Sequence, residues 1–272
     1  MSESSSDPRS HFGFHTLPFT RELSIRDFWN SPIFEQPLED LFWTVQQRMS
    51  GALVAPSGTG KTLVLRALAE RLPEACYRCH YVKLTSLSQR DMCREIATVT
   101  GLEPTGTYPA LVRKIQQAFQ DQAHDEGIRP LLLLDEAGDM RPNVLAILRI
   151  LTNFDMDSRL VLPVVLAGDH HLLRLLERPE LEPVRRRLAH VATLRLLSRT
   201  ETQLYMQHRI LIAGGKDLPF DEQALEAIYE FTRGNLRAIN YLARKALQLA
   251  ALQNVSTIDA ALVVAARKNL ML

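Results

Sequence analysis

Ala55-Pro56-Ser57-Gly58-Thr59-Gly60-Lys61-Thr62 is the stretch whose reading decides the fold. A short apolar run, Gly51-Ala52-Leu53-Val54, precedes it, and an amphipathic segment from Leu63 to Leu72 follows directly. Strand, glycine-rich loop, Lys-Thr and helix, in that order, is the pattern of a phosphate-binding loop. The chemistry comes from the backbone. A helix N-terminus offers an anion unpaired N–H groups and the positive end of its dipole. Gly58 and Gly60 let the chain wrap phosphates without side-chain interference. Lys61 then reaches the β- and γ-phosphates, and the Thr62 hydroxyl holds Mg²⁺. Pro56, Ser57, Thr59 and Leu63 complete the expected nucleotide cradle. Ala55 occupies the motif position where the pattern has a first glycine; that position serves the turn and tolerates alanine.

The second signal is Leu131-Leu132-Leu133-Leu134-Asp135-Glu136. Four aliphatic residues ending in two acids read as a buried parallel strand with its carboxylates at the C-terminal end. Ligands of open α/β sheets bind at that end. Asp135 is expected in the Mg²⁺ shell, and Glu136 is expected to polarise the attacking water. Its position about seventy residues after the phosphate loop makes it that loop's natural partner.

Composition narrows the class. The 272 residues are 46% hydrophobic and 23% charged, with a formal net charge of +1, as in a globular chain large enough for one large or two small domains. So small a net charge gives no global pull toward nucleic acid or a membrane, so any DNA contact must come from a local basic surface. Apolar runs stay short of the eighteen or so residues that span a bilayer. The opening MSESSSDPRS lacks the apolar stretch of a signal peptide and reads as a disordered tail over 1–10. A cytoplasmic location, with no membrane partner, is the corresponding expectation. Cys76-Tyr77-Arg78-Cys79-His80 has the spacing of half a zinc site, but Cys93 does not complete one, and the pair reads more simply as flanking a strand.

Strands are expected at about 51–55, 79–84, 131–135, 161–168 and 190–196, with helices over Asp91–Thr100, Ala110–Asp121 and Pro142–Phe154. Strands alternating with helices imply a parallel five-stranded sheet covered on both faces. Beyond Leu197 the pattern is helical only. Ser198-Arg199-Thr200-Glu201 is a capping box, Asp221 reads as an N-cap, a third helix spans about Leu236 to Gln253, and Ser256–Asp259 opens a last one. The expected division is therefore an α/β nucleotide-binding domain over 11–197 and a small helical lid over 198–272.

Taken together, the order of phosphate loop, acid-ended strand, fourth strand, arginine cluster, fifth strand and helical lid resembles AAA+ ATPases. Within them the chain is similar to the group that contains the secretion-pathway protein A (ExeA/GspA) ATPases and the transposon regulators of the TnsC, TniB and MuB type. The residues that carry this are Phe12-Gly13-Phe14, Leu17-Pro18-Phe19 and Asp135-Glu136-Ala137. In the lid they are Glu201-Thr202, Tyr205-Met206-Gln207-His208-Arg209, Ala213-Gly214 and Arg233-Gly234-Asn235-Leu236-Arg237-Ala238-Ile239-Asn240. The resemblance runs over about 11–255. It implies that Arg237 is a second sensor reaching the γ-phosphate. It also implies that Arg187, or next Arg186, in Arg185-Arg186-Arg187 is an arginine finger offered to a neighbour's nucleotide. Asp169 falls at the place of the first sensor, where the family usually has a neutral polar residue. Phe14 and Pro18 line the adenine pocket or form an apolar N-terminal staple.

The resemblance implies ATP and Mg²⁺ as cofactors and a ring or helical homo-oligomer as the working state. Its function is expected to be regulation of DNA transposition: ATP-dependent, sequence-independent assembly on double-stranded DNA, recruitment of a transposase with or without a target-selection protein, and disassembly on hydrolysis. The alternatives are a secretion-pathway ATPase, whose family members carry a transmembrane segment and a wall-binding region, and a replication helicase-loader-like ATPase. Lys83-Leu84-Thr85-Ser86-Leu87-Ser88-Gln89-Arg90 has a cation at each end and hydroxyl or amide donors between, the residue types that contact phosphate oxygens. Lys83, Ser86, Ser88, Gln89 and Arg90 are therefore expected on duplex backbone, with Thr105 and Thr107 as a second contact, backed by Arg113 or Lys114. An ordinary capped strand-to-helix loop is the plainer reading of the same residues. The final Lys268-Asn269-Leu270-Met271-Leu272 reads as a docking tail or a frayed helix end.

Overall fold

The sheet of the computed structural model runs β2-β3-β4-β1-β5, and every pairing in it is parallel. Its strands are β1 (Ser50–Val54), β2 (Tyr77–Lys83), β3 (Arg129–Asp135), β4 (Val164–Gly168) and β5 (Leu188–Thr193). The helices, in chain order, are α1 (Pro8–Phe12), α2 (Pro32–Gln46), α3 (Lys61–Arg71), α4 (Gln89–Val99), α5 (Tyr108–His124), α6 (Pro142–Leu145), α7 (Leu148–Leu151), α8 (His170–Leu176) and α9 (Glu182–Arg185). They continue with α10 (Arg199–Ile212), α11 (Glu222–Thr232), α12 (Leu236–Gln253) and α13 (Ala260–Lys268). The structure describes residues 7–22, 24–84, 86–124, 127–156 and 158–268. Of the expectations above, residues 1–6 of the tail, Thr85 and the terminal 269–272 lie outside the described residues.

The chain divides into two compact units, Asn30–Leu194 and, together, Met1–Trp29 with Arg195–Leu272. The first is the α/β unit. β1, β3 and β4 are buried almost throughout, as central strands of a sheet covered on both faces must be. Leu132, Leu134, Leu166, Ile115 and Phe119 belong to one continuous core, each such side chain contributing roughly 1.5–3 kcal/mol.

Several boundaries differ from the sequence reading: β2 starts two residues early, at Tyr77, and β5 ends at Thr193, three residues short of the expected 196. The fourth strand begins at Val164 and not at 161, because Pro163 has no N–H for a ladder; its carbonyl accepts from Leu132 N, and Ser50 Oγ accepts from Val164 N. The expected helix over 142–154 is two short ones, α6 and α7, broken at Ala146–Ile147.

The second unit is helical. Asp7 caps α1, so residues 7–10 of the expected disordered tail are ordered helix and cap, and the described part of 7–29 groups with the helical unit and not with the sheet. His11 Nε2 lies 2.7 Å from Val255 O, and His15 N donates to Ala213 O. The capping box at Ser198 and Glu201 is complete, Asp221 accepts from Ala224 N, and Asp259 accepts from Leu262 N ahead of α13.

Gly234 explains why its string in the lid has the form it does. Arg233 and Gly234 both have positive φ, 48° and 78°. A Cβ on Gly234 would lie 1.9 Å from Leu197 O. Asn235 then accepts from Ala238 N and starts α12. The Arg-Gly-Asn string is a double left-handed turn and a cap, with glycine required by both φ and space.

Candidate functional site

The site is built from β1 outward. After Val54 the chain leaves the sheet between β4 and β5, and Ala55 N donates to Gly168 O to anchor the loop. Gly58 and Gly60 take φ of 80° and 102°, in the left-handed region that other residues adopt at a cost. Thr59 Oγ1 donates to Pro56 O at 2.7 Å and closes the loop on itself. Gly60 caps α3, and Leu63 N and Val64 N donate to its carbonyl. Lys61 is only 6% exposed, and its ammonium donates to Ala55 O at 3.1 Å and Pro56 O at 3.4 Å. Ser57 is exposed, and Pro56 and Leu63 are half-buried at the loop's two ends.

The acid strand meets this loop through one hydrogen bond. Thr62 Oγ1 donates to Asp135 Oδ2 at 2.7 Å, joining the first turn of α3 to the end of β3. Asp135 is 1% exposed, and its other oxygen accepts from Glu136 N at 2.9 Å. Tyr81 on β2 adds a second donor to Oδ2, with its phenol at 3.0 Å. Burial, and then the Asp135 charge, push that phenol above its ordinary range, so it is a donor at every working pH. Glu136 has φ 59°, ψ 34°, a left-handed conformation unusual for a non-glycine residue. Such strain held at a strand end is a mark of functional positions.

A close approach holds the ends of β3 and β4 together. A Cβ on Gly138 would stand 2.9 Å from Asp169 Oδ1, and one on Gly168 would stand 2.9 Å from Gly138 N. Asp169 caps α8, accepting from His171 N at 2.8 Å and pairing with His171 Nδ1 at 2.9 Å. Burial works upward on its carboxyl, but the hydrogen bonds from His171, with the Lys61 charge, carry it below the ordinary value. As an ionised cap it accepts hydrogen bonds and has none to donate to a phosphate.

Arg186 and Arg187 stand elsewhere in the α/β unit. Ser50 pairs with Leu188, so Arg187 lies at the N-terminal edge of β5 while the phosphate loop leaves the C-terminal edge of β1. The length of a five-residue strand, about 16 Å, separates them. Arg187 donates to Pro183 O, and Arg186 is exposed and paired with Glu182 Oε1. They border an open groove of about 610 Å³ with Arg48, Met49, Ser50 and Leu162. Both lie a strand's length from the phosphate loop of their own chain. Arg237 is exposed at the second position of α12, where the helix dipole disfavours a cation.

The residues expected on DNA are partly brought together. Arg90 donates to Gly106 O at 3.0 Å, which ties the first turn of α4, just after the loop that follows β2, to the loop that carries Thr105 and Thr107, both exposed. Lys83 and Ser86 are exposed as well. Ser88 and Gln89 are committed locally: Ser88 caps α4 and donates to Asp91, and Gln89 donates to Asn143 O. Phe14 is buried within the helical unit beside Gly215, where a Cβ would lie 2.8 Å from its ring, the packing of an apolar staple. Cys79 lies inside β2, and burial pushes its thiol up to about 11; among the described residues no cluster of three His, Cys, Asp or Glu could hold a metal.

Nothing in the sequence singles out Tyr81, Gly138 or the strained backbone of Glu136. Only the register of β2 on β3 and the approach of β3 to β4 bring them to the site. No spacing rule along the chain encodes either.

Residues 45–176 match the family model of an AAA domain. General secretion pathway protein A of Aeromonas hydrophila is 29% identical over 240 residues, which is 87% of this chain and 43% of that protein. The chain thus spans less than half the length of that curated relative. Among solved structures, Cdc6p from Pyrobaculum aerophilum superposes with a TM-score of 0.69 at 16% identity, over 88% of this chain and 67% of that one. The Aeropyrum pernix ORC1 protein, in complex with DNA, gives 0.68 at 16% identity over 90% and 66%. The Thermotoga maritima RuvB branch migration motor gives 0.60 at 20% identity over 92% and 72%. Residues 45–176 thus match an AAA domain, and the fold built around them, a parallel five-stranded sheet with flanking helices and a helical C-terminal region, is the AAA+ P-loop fold.

Proposed function

We propose that the chain is a Mg²⁺-dependent ATPase whose nucleotide state controls its self-association. The observation that carries this reading is the Thr62 hydroxyl 2.7 Å from the buried Asp135 carboxylate, beside a loop that buries Lys61. A hydroxyl and a carboxylate so placed are the donor set that a hard, oxygen-seeking cation takes, and Thr62 and Asp135 are the residues that hold it. Once bound, Mg²⁺ supplies positive charge to the phosphate oxygens as they develop negative charge. Lys61 exchanges its two carbonyl partners for phosphate oxygens, since an ammonium gains more from an anion than from a neutral carbonyl. Glu136 takes the proton of the attacking water, a role worth roughly 10²–10⁴-fold in rate. Arg187, or Arg186 beside it, serves a neighbouring copy's nucleotide, and Arg237 reports the γ-phosphate to the helical unit. With nucleotide contacts drawn from two copies, ATP favours assembly and hydrolysis weakens it.

For the client, the sequence similarity to general secretion pathway protein A supports a secretion-type reading, in which this module drives an envelope-directed assembly from the cytoplasm, where ATP is available. Among the described residues no helix is long and apolar enough to cross a membrane. The second reading is a regulator of transposition, or a loader-like ATPase, that assembles on duplex DNA and engages a transposase or other partner. It draws on the tie from the first turn of α4 to the next loop, with Lys83, Ser86, Thr105 and Thr107 exposed, and on the complex that the superposing Aeropyrum pernix ORC1 protein forms with DNA.

Light scattering of the protein with ADP, ATP and a non-hydrolysable analogue, with and without random-sequence duplex, tests both. ATP-dependent assembly without DNA favours the secretion-type reading; assembly only on duplex, lost on changing Lys83 to Glu, favours the DNA reading. A constant mass in every nucleotide state contradicts the switch itself.

A further inference from the structure

We infer that Tyr81 is a positioning residue for the metal-holding carboxylate of Asp135, an inference that rests on the ATPase reading above. Strand register puts it there. Tyr81 pairs with Leu133 and Lys83 with Asp135 across the parallel β2–β3 ladder. Side chains two apart along a strand share a face, so Tyr81 is the diagonal neighbour of Asp135 on one side of the sheet. Diagonal neighbours in a sheet are about 7–8 Å apart, within reach of an aromatic or other long side chain. A phenol closes that gap, and here it does so at 3.0 Å.

The Asp135 carboxylate has three donors with different fates. Glu136 N is fixed by the backbone and holds Oδ1. Thr62 Oγ1 holds Oδ2, but its own oxygen is the atom offered to the cation. Tyr81 OH, also on Oδ2, has no second task. It is the donor that would keep the rotation of the carboxylate set when the Thr62 oxygen is given over to a cation. Groups that hold a metal ligand in orientation commonly change metal affinity 10- to 100-fold when removed.

Tyr81 is 39% exposed on the edge strand of the sheet, and among the described residues its OH bonds to Asp135 alone. The fold therefore has little need of the hydroxyl, and Tyr81→Phe keeps the ring and removes only the donor. Asp135 in that variant keeps its bonds to Thr62 and Glu136 N.

The test is the affinity of a fluorescent ADP analogue in EDTA and across a Mg²⁺ titration, for the full chain and for Tyr81→Phe, with melting temperatures in parallel. The expected result is unchanged affinity in EDTA, a Mg²⁺ midpoint raised about 10-fold, and a melting temperature within a few degrees of the parent. In turnover assays the Mg²⁺ requirement should rise in parallel. An unchanged Mg²⁺ midpoint overturns the inference, as does an equal loss of affinity in EDTA, which would make Tyr81 part of the nucleotide cradle. Failure of the parent chain to bind the analogue in either condition overturns the ATPase reading and this inference with it.

Discussion

Lys61 in the α/β unit and Arg209 in the helical unit are both buried cations that donate to backbone carbonyl oxygen, two for Lys61 and one for Arg209, and they differ in how firmly they are held. Lys61 makes two long contacts, 3.1 and 3.4 Å, from a flexible stem to the carbonyls of its own loop. An ammonium is a point charge that can turn to a new partner with little rearrangement. Arg209 is 4% exposed and uses its fork to bridge Tyr205 OH at 3.0 Å and Thr20 O at 2.9 Å, with the Phe19 and Tyr205 rings beside it. Tyr205 OH passes on to Asn240 Oδ1, so the bridge links the N-terminal segment, α10 and α12. The Arg209 Nε has no hydrogen-bond partner among the described residues, a cost of about 1–3 kcal/mol that the rest of the network outweighs. A buried cation is thus an exchangeable donor where its partners are the carbonyls of one glycine loop, and a permanent tie where its hydrogen-bond network joins three separate segments.

The contrast is broken most forcefully at the acid strand. Glu136→Gln should lower ATP turnover by about 100-fold or more while leaving nucleotide binding in place; normal turnover would move water activation to another residue. On the helical side, Gly234→Ala forces a Cβ to within 1.9 Å of Leu197 O at a φ of 78°. Urea denaturation should show a loss of about 3 kcal/mol, and a loss below about 1 kcal/mol would mean that this turn relaxes freely. Arg209→Met leaves Thr20 O and the Tyr205 hydroxyl without their donor and should cost about 2 kcal/mol. Arg209→Lys should recover only part of it, since one ammonium cannot span both sites; full recovery would reduce Arg209 to a simple charge.

The smallest effect is at Glu201, whose carboxyl is held down to about 2, from an ordinary 4.5, by the Arg195 side chain and the Ser198 cap against the opposing effect of burial. A depressed acid stabilises the fold above its unfolded value, and that contribution is lost as the pH falls through the folded one. Glu201→Gln should therefore cost about 1 kcal/mol at pH 7, with the difference from the parent shrinking between pH 4.5 and 2. A gap that stays constant down to pH 2 would assign the effect to packing.

The parts of the molecule that follow local rules were legible in the chain. The phosphate loop, the acid-ended strand, the caps at Ser198 and Asp221 and the span of α12 all rest on neighbours within a few residues. Pro163 shortens β4 by a local rule too, one that the run of valines and leucines around it obscured. What escaped depends on partners distant in sequence. Arg209 reads as one cation on an amphipathic helix until Thr20 is placed against it, 189 residues away. Tyr81 reads as one aromatic of an edge strand until the β2–β3 register brings it to Asp135. Arg185 to Arg187 read as an arginine finger for a neighbour's nucleotide, and their distance from the phosphate loop of their own chain appears only with the parallel pairing of β1 and β5.

Every role proposed for the site depends on the glycine loop and Lys61 holding ATP. Calorimetric titration of Mg·ATP into the parent chain and into Lys61→Ala measures it. The expected result is stoichiometric binding by the parent and a loss of about 100-fold or more in the variant, with the two melting at similar temperatures without nucleotide. Equal affinity in the two proteins, or no binding by a folded parent, would contradict it.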